Sequence, residues 1–160
     1  MNFIKNNWIV ITGAPSSGKT TVLKELEKMG YKTYEEWARV YIDSEMKSGK
    51  TLKEIRHDEL EFQKKILQLK IDFEKTLNPE STLFLDRGIP DSIAYMKLCG
   101  FGKEPLLQEA SKNCRYKKIF LMELIEFEQD YARTESKEQA IILEKLLEDA
   151  YKVLGMEVIR

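Results

Sequence analysis

Two glycines, a lysine and a threonine near the start of the chain have the types and spacing of a phosphate-binding loop. Residues 13–20 read GAPSSGKT and fit the pattern G-x-x-x-x-G-K-[ST]. The glycines let the backbone approach phosphate oxygens closely, and the positive end of the following helix adds to that attraction. Lys19 is expected to contact the β- and γ-phosphates, and the Thr20 hydroxyl to ligate Mg²⁺. The cofactors expected are therefore ATP or GTP and Mg²⁺.

The flanks of the loop agree with this interpretation. Trp8–Thr12 is a short apolar run typical of a buried strand. Thr21–Met29 has apolar residues at helical spacing. The lack of an Asn-Lys-x-Asp guanine motif mildly favours adenine. The expected nucleotide-binding residues are Gly13, Ala14, Pro15, Ser16, Ser17, Gly18, Lys19, Thr20 and Thr21.

A second informative stretch ends in an aspartate. Thr82–Asp86 reads TLFLD, the form of a strand whose final carboxylate lies beside the phosphate-binding loop and holds Mg²⁺, directly or through water. A turn or a helix cap is the alternative role for Asp86. Arg87 is positioned to meet a phosphate or a substrate anion. Asp91 is expected to cap the next helix rather than to bind a ligand.

A carboxylate pair follows the predicted second strand, Tyr31–Tyr34. Glu35 and Glu36 come directly after it, with Arg39 three residues further on. Ligands of open α/β sheets bind beyond the carboxyl ends of the strands, so these three side chains are candidates for binding an acceptor substrate. The alternative is a surface ion pair of Glu36 and Arg39 on one helix face. The residues alone leave both interpretations open.

The polar segment from Glu123 to Lys137 precedes the last predicted helix. Small kinases carry a lid at this place, which closes over the phosphates. Arg133 is then a candidate arginine finger that acts in cis, and a solvated loop arginine is the alternative.

Composition restricts the class of protein. The 160 residues predict one domain spanning 1–160. The 26 basic and 27 acidic side chains nearly cancel, so no global charge favours nucleic acid or a membrane surface. No apolar run is long enough to span a bilayer. Cys99 and Cys114 are expected to be reduced thiols of a cytoplasmic protein. The sequence does not indicate an oligomeric state.

The order of elements predicts the fold. Strands alternate with helices, which indicates a three-layer α/β fold with a mainly parallel sheet of about five strands and the phosphate-binding loop after the first strand, as in P-loop NTPases. A loop is expected over 44–50, followed by one long helix from Leu52 to about Leu77 with a Thr51/Glu54 capping box. His57, near its start, is expected at the surface or in packing.

Several of these motifs together resemble a known family. The chain is similar to small predicted ATPases of the AAA-domain grouping that look like nicotinamide-riboside kinases, among them the kinase domain of bacterial bifunctional NAD regulators. The resemblance runs from about Trp8 to Ile159, and its most specific part is the stretch 85–95. It also uses the stretches 11–21, 36–39, 131–135 and 151–155. The resemblance implies a fold similar to that of nucleoside kinases, and a bound nucleotide, more firmly than it implies a reaction.

Two functions of different classes remain. The first is phosphoryl transfer from Mg²⁺-ATP to a small hydroxyl-bearing acceptor such as a nucleoside or riboside. Glu36 or Asp86 would accept the hydroxyl proton, while Lys19 and Arg133 would balance charge. The second is a nucleotide-dependent switch or weak NTPase that binds a protein or lipid partner. A ring-forming AAA machine is not favoured, because the chain is too short for the usual helical lid domain.

Overall fold

The fold is built on one parallel β-sheet, seen in a computed structural model that describes residues 5–125, 132 and 135–160. Its strand order is β2-β3-β1-β4-β5, and every neighbouring pair is parallel. This confirms the predicted α/β class with a five-stranded parallel sheet. The strands are β1 (Trp8–Thr12), β2 (Lys32–Tyr34), β3 (Leu83–Asp86), β4 (Lys118–Leu121) and β5 (Val158–Ile159).

Helices connect the strands, as parallel pairing requires. The described helices are α1 (Lys19–Lys28), α2 (Trp37–Lys47), α3 (Leu52–Ile55), α4 (Glu59–Glu74), α5 (Asp91–Leu98), α6 (Pro105–Asn113) and α7 (Lys137–Lys152).

Strand register brings the predicted site residues to one edge of the sheet. β1 lies at the centre, where Ile11 pairs with Asp86 of β3 and Thr12 pairs with Leu121 of β4. β2 lies outside β3, with Tyr34 opposite Leu85. Because all strands run the same way, the phosphate-binding loop, Asp86 and the residues after Tyr34 all leave the sheet at its carboxyl edge.

Two apolar layers cover the sheet. On one face Val10, Leu85 and Ile119 join Leu67 of α4 and Tyr151 of α7 in the largest buried cluster. On the other face Ile11, Phe84 and Leu23 of α1 form a smaller cluster. The last helix, α7, buries Leu143, Leu147 and Ala150 in a further cluster. No helix in the described part of the chain combines the length and apolarity needed to cross a bilayer.

The long helix predicted from Leu52 to about Leu77 is wrong, because the chain breaks at residues 56–58. The Thr51/Glu54 capping box forms as expected but starts only the one-turn helix α3. Asp58 then caps α4 by accepting a hydrogen bond from the Glu61 N–H at 3.1 Å. A side-chain cap of this kind satisfies one of the N–H groups that a new helix leaves open, so Asp58 favours a second start.

Other predicted boundaries need smaller corrections. The loop expected over 44–50 is shorter, because α2 continues to Lys47. Asp91 is the first residue of α5 rather than its cap, which is Pro90. Ser136 caps α7 through a capping box with Gln139.

Candidate active site

Backbone conformation shapes the phosphate-binding loop. Gly13 has a φ of 152°, and a Cβ there would lie 2.6 Å from the Met122 carbonyl oxygen. Gly18 begins α1 with a φ of 85° and no side-chain hydrogen bond to the first turn. The N–H groups at this helix start are therefore left to an anionic ligand, as in other helix-terminal phosphate sites.

Lys19 lies in the loop that its sequence motif predicts. Its side chain is buried, and Nζ donates to the carbonyl oxygens of Gly13 at 3.2 Å and Ala14 at 3.4 Å. These contacts hold the ammonium group inside the curve of the loop. A positive charge placed there is suited to triphosphate oxygens.

Asp86 ends β3 beside the loop and has the character of a cation ligand. Its Oδ1 is buried and receives no hydrogen bond from any residue that the structure describes. Burial, together with the Glu36 carboxylate, raises the pKa of Asp86 to about 6, although Lys19 and Arg87 act against this rise. A buried carboxylate oxygen without a donor requires a partner, and a cation supplies one.

A cavity of about 700 Å³ joins this carboxylate to Thr20. A carboxylate and a hydroxyl are oxygen donors of the type that Mg²⁺ takes, and protein Mg²⁺ sites commonly use one or two carboxylates and leave the remaining positions to phosphates and water. The described residues contain no cluster of three or more acidic, histidine or cysteine ligands. The set therefore fits a nucleotide-bound Mg²⁺ rather than an ion held by the protein alone.

Glu36 pairs with Arg87, not with Arg39 as the helix spacing had allowed. The distance from Glu36 Oε1 to Arg87 Nε is 3.2 Å, with the glutamate side chain 23% exposed and the arginine 3%. Burial acts to raise the pKa of Glu36, but Arg87 and Lys19 lead the positive charges that lower it to about 2. Glu36 is thus an ionised carboxylate at the cavity wall, so the surface ion pair considered above is not what forms.

Arg87 occupies a constrained backbone position. Its φ is 69°, in the left-handed region that residues other than glycine rarely adopt. Its N–H donates to the Ile11 carbonyl oxygen at 3.0 Å, and its guanidinium lies 5.1 Å from the centre of the Tyr95 ring. This conformation turns the side chain toward Glu36.

Asp91 stabilises the turn that follows β3. It is fully buried and accepts hydrogen bonds from the Gly88 N–H at 2.8 Å, from the Tyr151 hydroxyl at 2.6 Å and from the Thr12 hydroxyl. Thr12 comes immediately before the phosphate-binding loop, and Tyr151 belongs to α7. Asp91 therefore connects β1, the turn after β3 and the last helix, which is a larger role than the helix cap expected from sequence.

A second cavity, which we call the acceptor cavity, has a volume of about 550 Å³ and extends between α2 and α4. It shares Glu36 and Arg39 with the cavity beside Lys19 and Asp86. Its wall contains charged, polar and apolar side chains. Its lining residues include Glu36, Arg39, Gln63, Lys70, Arg87 and Tyr95.

Most predicted site residues come together here. Lys19, Thr20, Glu35, Glu36, Arg39 and Asp86 line one cavity, with Glu35 exposed at its rim. Arg87 does not line this cavity but lines the acceptor cavity, which also contains Glu36. Arg133 and most of the predicted lid over 123–137 fall outside the described residues. His57 is exposed, in agreement with the surface position expected for it.

Sequence reasoning missed two buried polar side chains of α4. Lys70 Nζ lies 3.4 Å from both the Gly88 carbonyl oxygen and the Ser92 hydroxyl, and burial lowers its pKa. Gln63 is only 4% exposed. Gln63 lies three residues before the buried Ile66 and Lys70 lies four residues after it, so polar residues on the buried face of the helix were the available signal.

A family described as AAA domain matches residues 8–160. The chain belongs to that family. No curated protein matches its sequence.

Solved structures share the fold. A NadR protein in complex with NR superimposes with a TM-score of 0.71 at 18% identity, over 98% of this chain and 44% of that one. This chain thus spans less than half of the NadR protein. Deoxyadenosine kinase from M. mycoides has a TM-score of 0.64 at 15% identity, with 96% and 90% covered. Shikimate kinase from Acinetobacter baumannii has 0.54 at 16%, with 96% and 82% covered. The chain therefore has the fold of P-loop kinases.

Proposed function

We propose that this protein transfers a phosphoryl group from Mg²⁺-ATP to a hydroxyl group of a small acceptor of the nucleoside or riboside class. The observation that carries the proposal is the shared wall of the two cavities. Glu36 and Arg39 border both the cavity that contains Lys19 and Asp86 and the acceptor cavity. A phosphate bound on one side and a hydroxyl on the other would meet at these two residues.

The phosphate-binding loop supplies the nucleotide half of the site. Backbone N–H groups at the start of α1 and the Lys19 ammonium would bind the phosphates, and Thr20 and Asp86 would hold Mg²⁺. The ion, when bound, neutralises charge on the β- and γ-phosphates. Arg133 would add a further positive charge if the segment around it closes over the nucleotide. All these groups act by electrostatic stabilisation of the moving phosphoryl group.

Glu36 is suited to orienting the acceptor hydroxyl. Its carboxylate is ionised, since its pKa is about 2, and it can accept a hydrogen bond from that hydroxyl. Phosphoryl transfer has a largely dissociative transition state, so positioning matters more than a strong base. Asp86 would be occupied by Mg²⁺ in this arrangement and lines the cavity beside Lys19 but not the acceptor cavity, which leaves Glu36 as the carboxylate that faces the acceptor hydroxyl.

The structural neighbours support the acceptor class. NadR was solved with NR, deoxyadenosine kinase with dCMP and dCDP, and shikimate kinase with shikimate. Each of these neighbours is thus known with a small-molecule ligand and not with a protein or lipid partner. The same fold with a cavity of about 550 Å³ beside the loop favours a small acceptor here.

The test is phosphorylation of a panel of nucleosides and ribosides with Mg²⁺-ATP, with Lys19→Ala as the blank. We expect a phosphorylated product that depends on Lys19. Glu36→Gln should lower kcat/KM by about a hundredfold or more, in the range typical of positioned acid–base groups. The matched control is Glu109→Gln, an exposed glutamate of α6, which should leave the rate unchanged. Hydrolysis of ATP that no acceptor stimulates would contradict the proposal and favour a nucleotide-dependent switch.

A further inference from the structure

A further cavity lies toward the edge of the sheet opposite the phosphate-binding loop, and we call it the amino-edge cavity. It has a volume of about 850 Å³, and its wall includes Trp8 at the start of β1 and Pro79 shortly before β3. It shares no lining residue with the acceptor cavity or with the cavity beside Lys19 and Asp86. The amino-edge cavity is therefore separate from the proposed active site.

Most of its wall is apolar and comes from β1, α4, the turn after β3 and α6. The apolar lining residues include Trp8, Ile71, Leu77, Ile89 and Ala110. Trp8 Nε1 already donates to the Asn78 carbonyl oxygen at 2.9 Å. The thiol of Cys114, which also lines the cavity, donates to the Ser111 carbonyl oxygen at 3.2 Å. This wall is thus suited to the hydrocarbon part of a ligand, since burial of apolar surface favours binding.

One carboxyl group interrupts the apolar wall. Glu74 is the last residue of α4 and lines the cavity. Its Oε1 accepts a hydrogen bond from the Tyr116 hydroxyl at 2.8 Å, and that hydroxyl accepts one from the Ile89 N–H at 3.0 Å. Tyr116 therefore fixes the orientation of the carboxyl group. Oε2 receives no hydrogen bond from any residue within the described ranges.

Glu74 also lacks a counter-ion among the residues that the structure describes. Lys70 lies one turn earlier on α4, but its ammonium group contacts the Gly88 carbonyl oxygen and the Ser92 hydroxyl, each at 3.4 Å. An ionised carboxylate that is partly buried without a partner is costly, in agreement with the pKa of about 7 that burial gives Glu74. A cation bound beside Glu74 would remove this cost.

We propose that the amino-edge cavity binds a small primary amine with an apolar body, whose ammonium group contacts Glu74 and whose hydrocarbon part packs against Trp8 and Ile71. A neutral molecule of the same shape would fill the apolar space but leave the carboxylate without a counter-ion. An anion would meet a like charge. The inference goes beyond the proposed function and does not depend on it.

Benzylamine and benzyl alcohol isolate the contribution of the charge, because they share one ring and differ in an ammonium or a hydroxyl group. The measurement is the Kd of each probe for the full chain by NMR titration at about pH 8, where Glu74 with its pKa of about 7 is largely ionised. The wild-type protein should bind benzylamine more tightly by roughly tenfold to a hundredfold, the range for a hydrogen bond between charged groups.

Glu74→Gln keeps the length of the side chain and removes its charge. It should bring the Kd of benzylamine to within about threefold of that of benzyl alcohol and leave the Kd of benzyl alcohol unchanged. The matched control is Glu61→Gln, since Glu61 is an exposed glutamate of the same helix. This control should keep the wild-type difference between the two probes.

The two tryptophans of the chain report where the probe binds. Trp8 lines the amino-edge cavity, whereas Trp37 lines a smaller cavity that Glu74 also borders. The variant Trp37→Phe assigns the two indole N–H signals in the NMR spectrum. Benzylamine should shift the Trp8 signal more than the Trp37 signal. Ala110→Leu enlarges a side chain of the wall and should weaken the binding of both probes.

Each outcome decides the proposal without reference to kinase activity. Equal affinity for the two probes, or a preference for benzylamine that survives Glu74→Gln, contradicts the amine as the ligand class. A larger shift of the Trp37 signal places the amine in the smaller cavity and overturns the site, as does failure of both probes to bind. A preference that Glu74→Gln removes and Glu61→Gln keeps, together with the shift at Trp8, establishes the inference.

Discussion

Two buried tyrosine hydroxyls hold consecutive N–H groups of the turn after β3. The Gly88 N–H donates to Tyr151 at 3.2 Å, and the Ile89 N–H donates to Tyr116 at 3.0 Å. The Tyr151 hydroxyl donates a hydrogen bond to Asp91 at 2.6 Å, and the Tyr116 hydroxyl donates to Glu74 at 2.8 Å. Each tyrosine thus joins the turn to a carboxylate, which explains how a strained residue such as Arg87 is kept in place.

Glu74 makes folding stability depend on pH. Burial raises its pKa to about 7, although the Tyr116 hydrogen bond and Lys70 act against this rise. The folded state therefore binds the proton more tightly than the unfolded state, in which the pKa of a glutamate has its ordinary value of 4.5. The stabilisation is fully present below the unfolded pKa and is lost as pH rises to about 7.

We expect the free energy of unfolding to fall more between about pH 5 and about pH 8 in the wild-type protein than in Glu74→Gln. The difference should be at least about 1.4 kcal/mol, which corresponds to one pKa unit. Urea unfolding at the two pH values measures it. Glu61→Gln, an exposed glutamate of the same helix, serves as the control. Equal pH dependence of wild type and Glu74→Gln would show that Glu74 titrates normally.

At the scale of elements, the turn from β3 to α5 is filled so completely that only glycine fits at position 88. A Cβ at Gly88 would lie 2.8 Å from the Tyr151 hydroxyl and 2.9 Å from the Tyr116 ring. Both tyrosines are buried, so neither ring has room to move aside. Steric contact with these two tyrosines therefore restricts position 88 to glycine.

Gly88→Ala should destabilise the protein by about 1–3 kcal/mol, the usual cost of overpacking a core, and should lower kinase activity because Arg87 is the preceding residue. Gly102→Ala is the matched control, since a Cβ there meets nothing within 4 Å; its effect should stay within about 0.5 kcal/mol. Denaturant unfolding and acceptor phosphorylation measure the two effects. Equal stability of the two variants would refute the steric argument.

The elements also show what the sequence could predict. The loop of residues 13–20 and the strand ending in Asp86 were predicted because their motifs are local and their chemistry depends on neighbouring residues. The break at residues 56–58 was missed, because apolar residues on both sides continue at helical spacing while Asp58 acts as a new cap. Asp58 followed by Glu61 is a weaker start signal than the capping box of Thr51 and Glu54 just before it.

The partner of Glu36 could not be predicted for a different reason. Spacing along a helix pointed to Arg39, whereas the structure pairs Glu36 with Arg87, which is far away in sequence. That pair depends on strand order and on the left-handed conformation of Arg87, neither of which is encoded by local spacing. Lys70 and Gln63 were overlooked because a single polar residue among apolar ones reads as an interruption of a helix face.

At the scale of the whole molecule, nucleotide binding should be visible as stabilisation. A ligand that binds only the folded state adds about 2.7 kcal/mol when its concentration is a hundred times its Kd. We expect Mg²⁺-ATP to raise the midpoint of thermal unfolding in the wild-type protein and not in Lys19→Ala. Lys28→Ala is the control, because Lys28 lies on α1 in an exposed pair with Glu25. An equal rise in Lys19→Ala would place the nucleotide elsewhere.

The carboxylate of Asp91 gathers contacts from three parts of the chain that are far apart in sequence. Thr12, Gly88 and Tyr151 all donate hydrogen bonds to it. Removing one donor therefore changes how much the remaining hydrogen bonds contribute to stability. Substitutions at contacting sites of this kind do not combine additively. Homologues that lack this arrangement are therefore expected to differ at several of these positions together. The substitutions that are tolerated at Tyr151 should depend on which residue stands at Thr12, 139 positions earlier.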